Sequence, residues 1–249
     1  MIKKVQTLSF YSLPFLFFWQ TRIPLFNKFH VIDYLIGYLY LREVAMAAFV
    51  LLTLIVYKDA LWAWVKQFRP FLIAVVILVL TATVSIIDAP VQSIAILKTI
   101  KLGGFVLFSI CFGYVVGNVF TDWEKWFRLW LIPFVPIAIM GIYEVTQGHS
   151  IGIWLLGNWR FSELSLGIAK VQLWGAEFLR PYATFPHPNV LGGTSAIFFF
   201  LAIHVYQQSK SNRYWVMMGI ALLWVLIILS FSRSAWIGIG LGVCSIYLL

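Results

Sequence analysis

The uncharged stretch Pro70 to Ile87, which reads PFLIAVVILVLTATVSII between Arg69 and Asp88, decides the fold of this chain. A helix needs about 20 apolar residues, roughly 17–25, to cross the hydrocarbon core of a bilayer. This stretch is long and apolar enough to predict a transmembrane helix. Leu102 to Thr121 and Tyr214 to Ser232 carry almost the same signal.

The composition extends this reading to the whole chain. Hydrophobic residues make up 62% and charged residues 11%, with a mean hydropathy of +0.92. A soluble domain is about 45–50% apolar and about 25% charged. The net charge of +9 comes from basic residues scattered between apolar runs, so it predicts no nucleic-acid partner. The predicted fold is all-α, a polytopic transmembrane helix bundle whose partner is the lipid bilayer.

Cutting the sequence at its charged residues gives about eight spans in a single transmembrane domain covering 1–249. They lie near 5–20, 41–57, 70–87, 101–120, 128–145, 189–206, 214–231 and 235–249. The segment 128–145 contains Pro133 and Pro136, which membrane helices tolerate.

The orientation is predicted with the N-terminus in the cytoplasm. Lys3 and Lys4 precede a first apolar run that has no small-residue cleavage site, which indicates an uncleaved helix. Basic residues divide evenly between the two sides, but those on the cytoplasmic side lie in short turns, where they orient spans most strongly.

Residues 146–188 then form one long extracytoplasmic loop. It carries aromatic and apolar side chains among its charges, as expected of a segment in the membrane interface. These are Trp154, Trp159, Leu173, Trp174 and Phe178. They favour an aromatic belt that anchors the fold, with docking of a lipid chain or acceptor as the alternative.

Two arginines beside apolar runs are the candidate binding groups. Arg180 opens the stretch RPYATFPHPNVLGG, and Arg233 lies in SFSRSAW, with two predicted spans between them. Two crossings return the chain to the same side, so both arginines face one compartment. A cation in the bilayer centre costs roughly 2.5–3.5 kcal/mol, and a pair on one side favours an anionic ligand. The alternative for each arginine is an interfacial anchor.

These two motifs, together with Leu13 to Phe15, Gln20 to Arg22 and Tyr38 to Leu41, resemble the O-antigen ligase/polymerase superfamily of bacterial inner-membrane glycosyltransferases. The resemblance covers nearly the whole chain. It rests on an arginine followed by a Thr-Phe and Pro-Asn stretch, and on a Ser-Arg two helices later. At Ala183 many members have glycine, which matters only if the backbone there needs a positive φ.

The resemblance implies a bundle like that of GT-C glycosyltransferases, located in the bacterial inner membrane. It also implies transfer of a glycan from an undecaprenyl-diphosphate carrier to an acceptor hydroxyl on the periplasmic side. The acceptor is a lipid A core, another glycan or a protein. Arg180 and Arg233 would bind the pyrophosphate, because guanidinium groups stay charged and offer paired donors to phosphate oxygens. No metal and no cofactor are expected.

Other residues of the motifs have structural or catalytic interpretations. His187 is a candidate general base, since its pKa lies near neutrality. The alternative is that it caps the following helix. Asn189 is expected to cap a helix beginning at Val190, and Gly192 and Gly193 to permit close helix approach. The motifs also include Thr184, Pro188 and Ser232.

The chain stops at Leu249, inside an apolar run that began near Ala235. This run of about 15 residues is too short to span a bilayer comfortably and has no polar cap, which predicts a fragment or a protein that ends unusually. The resemblance implies a base histidine in a large periplasmic loop further along, beyond residue 249. Two other functions stay open. One is a transporter of small anions resembling inorganic carbon, and the other is a scaffold without activity.

Overall fold

The computed structural model describes the chain except residues 1, 19, 27–36, 120–122, 174, 210–212 and 249. It is mostly helical. The helices are α1 (Ile2–Phe18), α2 (Leu41–Val65), α3 (Arg69–Val84), α4 (Gln92–Asn118), α5 (Trp123–Leu131), α6 (Phe134–Gln147), α7 (Pro188–Gln208), α8 (Arg213–Leu229) and α9 (Arg233–Leu248). The strands form two antiparallel pairs, β1 (Arg22–Phe26) with β2 (Gly37–Tyr40) and β3 (Lys170–Leu173) with β4 (Ala176–Leu179).

Four helical stretches are long and apolar enough to cross a membrane. They are Leu41–Val84, Gln92–Asn118, Glu124–Gln147 and Pro188–Gln208, and the shorter Arg213–Leu229 is also apolar. Helix α3 buries none of its residues within the chain, although almost all of its side chains are apolar. Such a surface is unfavourable in water and favourable in lipid. The chain is therefore compatible with a helical membrane protein.

The predicted break between the second and third spans is helical. Residues 58–65 continue α2 past a kink at Tyr57 (φ −128°, ψ 17°), and a 3-10 turn over Lys66–Phe68 leads directly into α3. Charged residues such as Lys58 and Arg69 have high helix propensity, so they mark a change in polarity without ending the helix. The segment 128–145 is instead divided into α5 and α6 at Ile132 and Pro133, since proline lacks the N–H that would continue the ladder.

The first of two compact units comprises residues 1–16 and 22–121. Its core is a cluster of phenylalanines, in which Phe10 stacks on Phe112 with ring centroids 5.8 Å apart and Phe49 packs against both. Lys101 of α4 forms an ion pair with Glu43 of α2 (2.8 Å). Glu43 also accepts from the Tyr40 backbone N–H and so caps α2.

The second unit comprises residues 17–21 and 122–249. An aromatic core forms where Phe18 contacts Trp130, Phe134, Phe185 and Phe198. Between α6 and α7, the described residues of 148–187 contain no α-helix. They carry the β3–β4 hairpin, a 3-10 turn over Trp154–Leu156 and a bridge between His149 and Ser162. The candidate site lies within this unit.

Candidate anion-binding site

Arg180 follows β4 directly and is held by three hydrogen bonds. Its Nε and Nη2 atoms donate to the backbone carbonyl of Ser230 (3.0 and 2.9 Å). Nη2 also donates to Oδ1 of Asn189 (2.6 Å). One guanidinium therefore connects the end of the hairpin, the first turn of α7 and the turn between α8 and α9.

Arg233 lies near Arg180 but is held differently. It is the first residue of α9 and is exposed. Within the part of the chain that the structure describes, its guanidinium has no hydrogen bond or ion pair. The pKa of Arg180 is lowered mainly by burial, against a smaller opposing effect of Tyr182, and further by the positive charge of Arg233. The structure thus brings together the two arginines that the sequence singled out.

The N-termini of α7 and α9 converge at these arginines. A Cβ atom added at Gly192, in the first turns of α7, would lie 2.5 Å from Ser230 Oγ and 2.9 Å from Ser232 Cβ. Only a glycine lets α7 approach the α8–α9 turn this closely. Helix N-termini carry partial positive charge and free N–H groups, so they attract anions. Two helix ends and two guanidinium groups make this region strongly electropositive.

Ser232 caps α9, and His187 caps α7. Ser232 Oγ accepts weakly from the Ala235 N–H (3.4 Å) and lies 3.1 Å from Ser234 Oγ. His187 Nδ1 accepts from the Asn189 N–H (3.1 Å), with Pro188 as the first helical residue. The expectation that Asn189 caps a helix at Val190 is wrong. The helix begins at Pro188, and the Asn189 side chain accepts from Arg180 instead.

The electrostatic surroundings keep His187 neutral. Burial first, and then the positive charge of Arg180, lower the pKa of His187 below its ordinary value of 6.5. The N–H bond to Nδ1 also requires that nitrogen to be unprotonated. The structure therefore supports the capping alternative, and the role of general base stays a prediction.

Two residues without glycine's freedom adopt positive φ beside the arginines. Ala183 has φ 49° and Phe231 has φ 47°. Left-handed backbone costs an L-residue about 1–2 kcal/mol, and such strain clusters at functional sites. At position 183 many members of the family that the sequence resembles have glycine, and the positive φ that would make this difference matter is present here.

Thr184 and Gly193 are two further motif residues of this region. Thr184 is buried, and its hydroxyl has no hydrogen-bond partner among the residues that the structure describes. A Cβ atom added at Gly193 would meet no described atom within 4 Å. The close approach expected at both glycines is therefore present at Gly192 and absent at Gly193.

Glu144 also belongs to this region, although the sequence suggests for it only a hydrogen bond across helices at the end of a span. It lies in the last turn of α6, is fully buried and accepts hydrogen bonds from the N–H groups of Tyr182 (2.6 Å) and Ala183 (2.8 Å). Its partners lie 38 and 39 residues away, which no local pattern reveals. The only sequence signal is a carboxylate inside an apolar segment, which is costly unless it is paired.

The predicted interfacial side chains of the long loop divide into two groups. Trp154 and Trp159 are exposed, as an interfacial or docking role requires. Leu173 and Phe178 are partly buried in the hairpin, and Trp174 lies outside the described residues.

The chain was compared with protein-family models, with curated proteins and with solved structures, and no match was found in any of the three.

Proposed function

We propose that this protein is a membrane glycosyltransferase of the O-antigen ligase type, located in the bacterial inner membrane. It would transfer a glycan from a polyprenyl-diphosphate carrier to an acceptor hydroxyl on the periplasmic side. The observation that carries the proposal is the convergence of Arg180, Arg233 and the N-termini of α7 and α9 at the end of apolar helices.

The chemistry of a lipid diphosphate suits this arrangement. In glycosyl transfer, the bond between the anomeric carbon and the diphosphate oxygen breaks, and the electron pair leaves with the diphosphate. The acceptor oxygen bonds to the anomeric carbon and loses its proton to a base. Negative charge therefore grows on the diphosphate, where preoriented donors in a site partly shielded from water stabilise it most.

The described residues divide these tasks. Arg180 is oriented by Ser230 and Asn189, and it would contact the diphosphate with its remaining donors. Arg233 has its donors available for the same oxygens. Neutral His187 is the candidate base within the described site. The polyprenyl chain would lie along the apolar helices, and the exposed Trp154 and Trp159 would face the acceptor.

A transfer assay tests the proposal. Membranes containing the protein are supplied with a radiolabelled polyprenyl-diphosphate-linked glycan, and loss of label from the carrier is measured. We expect loss of label with the unaltered protein and at least ~100-fold less with Arg180→Ala or Arg233→Ala. Arg160→Ala, which alters an exposed arginine of the same unit, should retain transfer.

The anion-transport alternative is tested in proteoliposomes. Uptake of labelled bicarbonate that depends on both arginines, together with no release of glycan from the carrier, would replace glycosyl transfer by transport of a small anion. Neither activity in correctly inserted protein would favour the inactive scaffold.

A further inference from the structure

A buried carboxylate occupies a cradle of backbone N–H groups next to Arg180. Glu144 Oε2 accepts from two successive residues, Tyr182 and Ala183. Two successive N–H groups that converge on one oxygen form a nest, and nests bind anions. The next torsion along the chain is the positive φ of Ala183, which sets the position of the Ala183 carbonyl relative to this nest.

Asn158 completes the arrangement from the long loop. It is buried, and its Nδ2 donates to Glu144 Oε1 (2.6 Å) and to the Ala183 carbonyl (2.5 Å). Its Oδ1 accepts from the Gly152 N–H (2.8 Å). One amide therefore joins the loop, the carboxylate of α6 and the carbonyl of Ala183, while the Ala183 N–H is bound by Glu144.

We infer that Glu144 and Asn158 are a positioning pair that holds the strained turn at Ala183 and thereby fixes the guanidinium of Arg180 in the anion site. The turn begins three residues after Arg180, with Pro181 stiffening the chain between them. Without the carboxylate, the favourable contacts that offset the left-handed conformation are lost. Ala183 would then return to ordinary backbone, and the peptide that carries Arg180 would move with it. The importance of Arg180 for a ligand rests on the proposed function, whereas its dependence on Glu144 does not.

Chemical modification measures the position of Arg180 without any substrate. Purified protein is treated with phenylglyoxal, and mass spectrometry gives the rate of modification of Arg180 relative to exposed Arg160. In the unaltered protein, Arg180 should react slowly, because its hydrogen bonds must open first. Glu144→Gln leaves an amide whose N–H₂ faces the Asn158 donor. We expect it to raise the relative rate at least about tenfold, as for loss of a hydrogen bond to a charged group.

A rescue separates positioning from general stability. Glycine adopts positive φ without strain, so Ala183→Gly added to Glu144→Gln should return the Arg180 rate to within about threefold of the starting value. Ala196→Gly, in the middle of α7, should give no rescue. Glu163→Gln alters an exposed glutamate of the same loop and should leave the rate unchanged.

Two results would overturn the inference. One is an Arg180 rate in correctly folded Glu144→Gln within about twofold of the unaltered protein. If that variant folds poorly, Asn158→Ala is measured, because it removes one side of the pair and leaves the carboxylate in place. The other is that neither Glu144→Gln nor Asn158→Ala folds and that adding Ala183→Gly does not restore folding. The pair would then be an ordinary part of the core.

The same assay separates this inference from the proposed function. Inorganic pyrophosphate should protect Arg180 and Arg233 of the unaltered protein. Faster modification in Glu144→Gln with no protection by pyrophosphate would keep the positioning pair and reject the diphosphate site. Protection by pyrophosphate, together with an Arg180 modification rate that Glu144→Gln leaves unchanged, would keep the diphosphate site and reject the positioning pair.

Discussion

Arg180 and Arg233 lie close together, yet within the described residues only the Arg180 guanidinium is fixed by hydrogen bonds. Arg180 gives donors to the Ser230 carbonyl and to Asn189. Arg233 is exposed at the first turn of α9, and within the described ranges its guanidinium makes no hydrogen bond. The sequence singles out both arginines, but hydrogen bonds orient only the side chain of Arg180 within the described residues.

The difference indicates that the two arginines would contribute to anion binding in different ways. A donor that is already oriented loses little freedom when the ligand arrives. A free guanidinium retains all five donors but must be ordered on binding, which costs up to about 2 kcal/mol of side-chain entropy. In the proposed site, Arg180 would thus define where the anion binds, and Arg233 would adapt to it.

The largest effect should come from removing either charge. Arg180→Ala and Arg233→Ala should each reduce glycan transfer at least ~100-fold, because each removes a donor to the developing charge on the diphosphate. Expression and membrane insertion, followed by immunoblotting of the membrane fraction, should change little. Near-normal transfer by a folded variant would make that arginine an interfacial anchor.

The next largest effect should come from disturbing the packing that brings the N-termini of α7 and α9 together. Gly192→Ala should destabilise the protein by about 1–3 kcal/mol, since the new methyl group collides with Ser230 and Ser232. Thermal unfolding in detergent measures this. Gly193→Ala is the matched control and should be neutral or slightly stabilising, because its methyl group meets open space and alanine favours helix. Equal effects of the two changes would contradict the close approach.

Lysine substitutions sharpen the comparison of the two arginines. Lysine keeps the charge but loses the planar fork. Arg180→Lys should reduce the initial rate of glycan transfer about tenfold more than Arg233→Lys. Only at position 180 does the planar guanidinium donate to Ser230 and Asn189 together. The measurement is the ratio of initial transfer rates. A ratio near one would mean that the hydrogen bonds of Arg180 do not orient it.

The smallest effect concerns the cap of α7 and depends on pH. The pKa of folded His187 lies below its ordinary value of 6.5, so the unfolded chain takes up a proton first as pH falls. The contribution of His187 to stability is therefore complete above pH 6.5 and is lost progressively as pH falls through the folded pKa. His187→Asn, a cap that does not titrate, should remove this part of the pH dependence of the unfolding temperature. An unchanged profile would show that His187 titrates normally.

Transfer by the same His187→Asn variant at neutral pH addresses the general-base hypothesis. Retained transfer leaves His187 as a cap. A large loss at unchanged stability would support its role as the base.

The positions of the helices could largely be predicted from the sequence, because length and hydropathy are local properties. The predicted segments 189–206 and 214–231 correspond to Pro188–Gln208 and Arg213–Leu229. Local polarity was less informative about where a helix ends. The charged residues between 58 and 69 remain helical, whereas the segment 128–145 is divided at Pro133, one of the two prolines that it contains.

The site could be predicted only as far as residue type and topology allow. The arginines were found because charge beside an apolar run is conspicuous. Glu144 and Asn158 were not assigned to the site, since their partners are backbone groups distant in the chain. Asn189 was misread because asparagine is a favoured cap, whereas capping by His187 was only the alternative interpretation of that residue.

Direct binding of a diphosphate tests the central claim most simply. Isothermal titration of the purified protein with inorganic pyrophosphate should show one site, weakened by salt, lost in the Arg180→Ala and Arg233→Ala variants and retained in Arg160→Ala. Absence of binding, or binding that survives removal of both arginines, would contradict the claim that these two residues and the converging helix ends form an anion site.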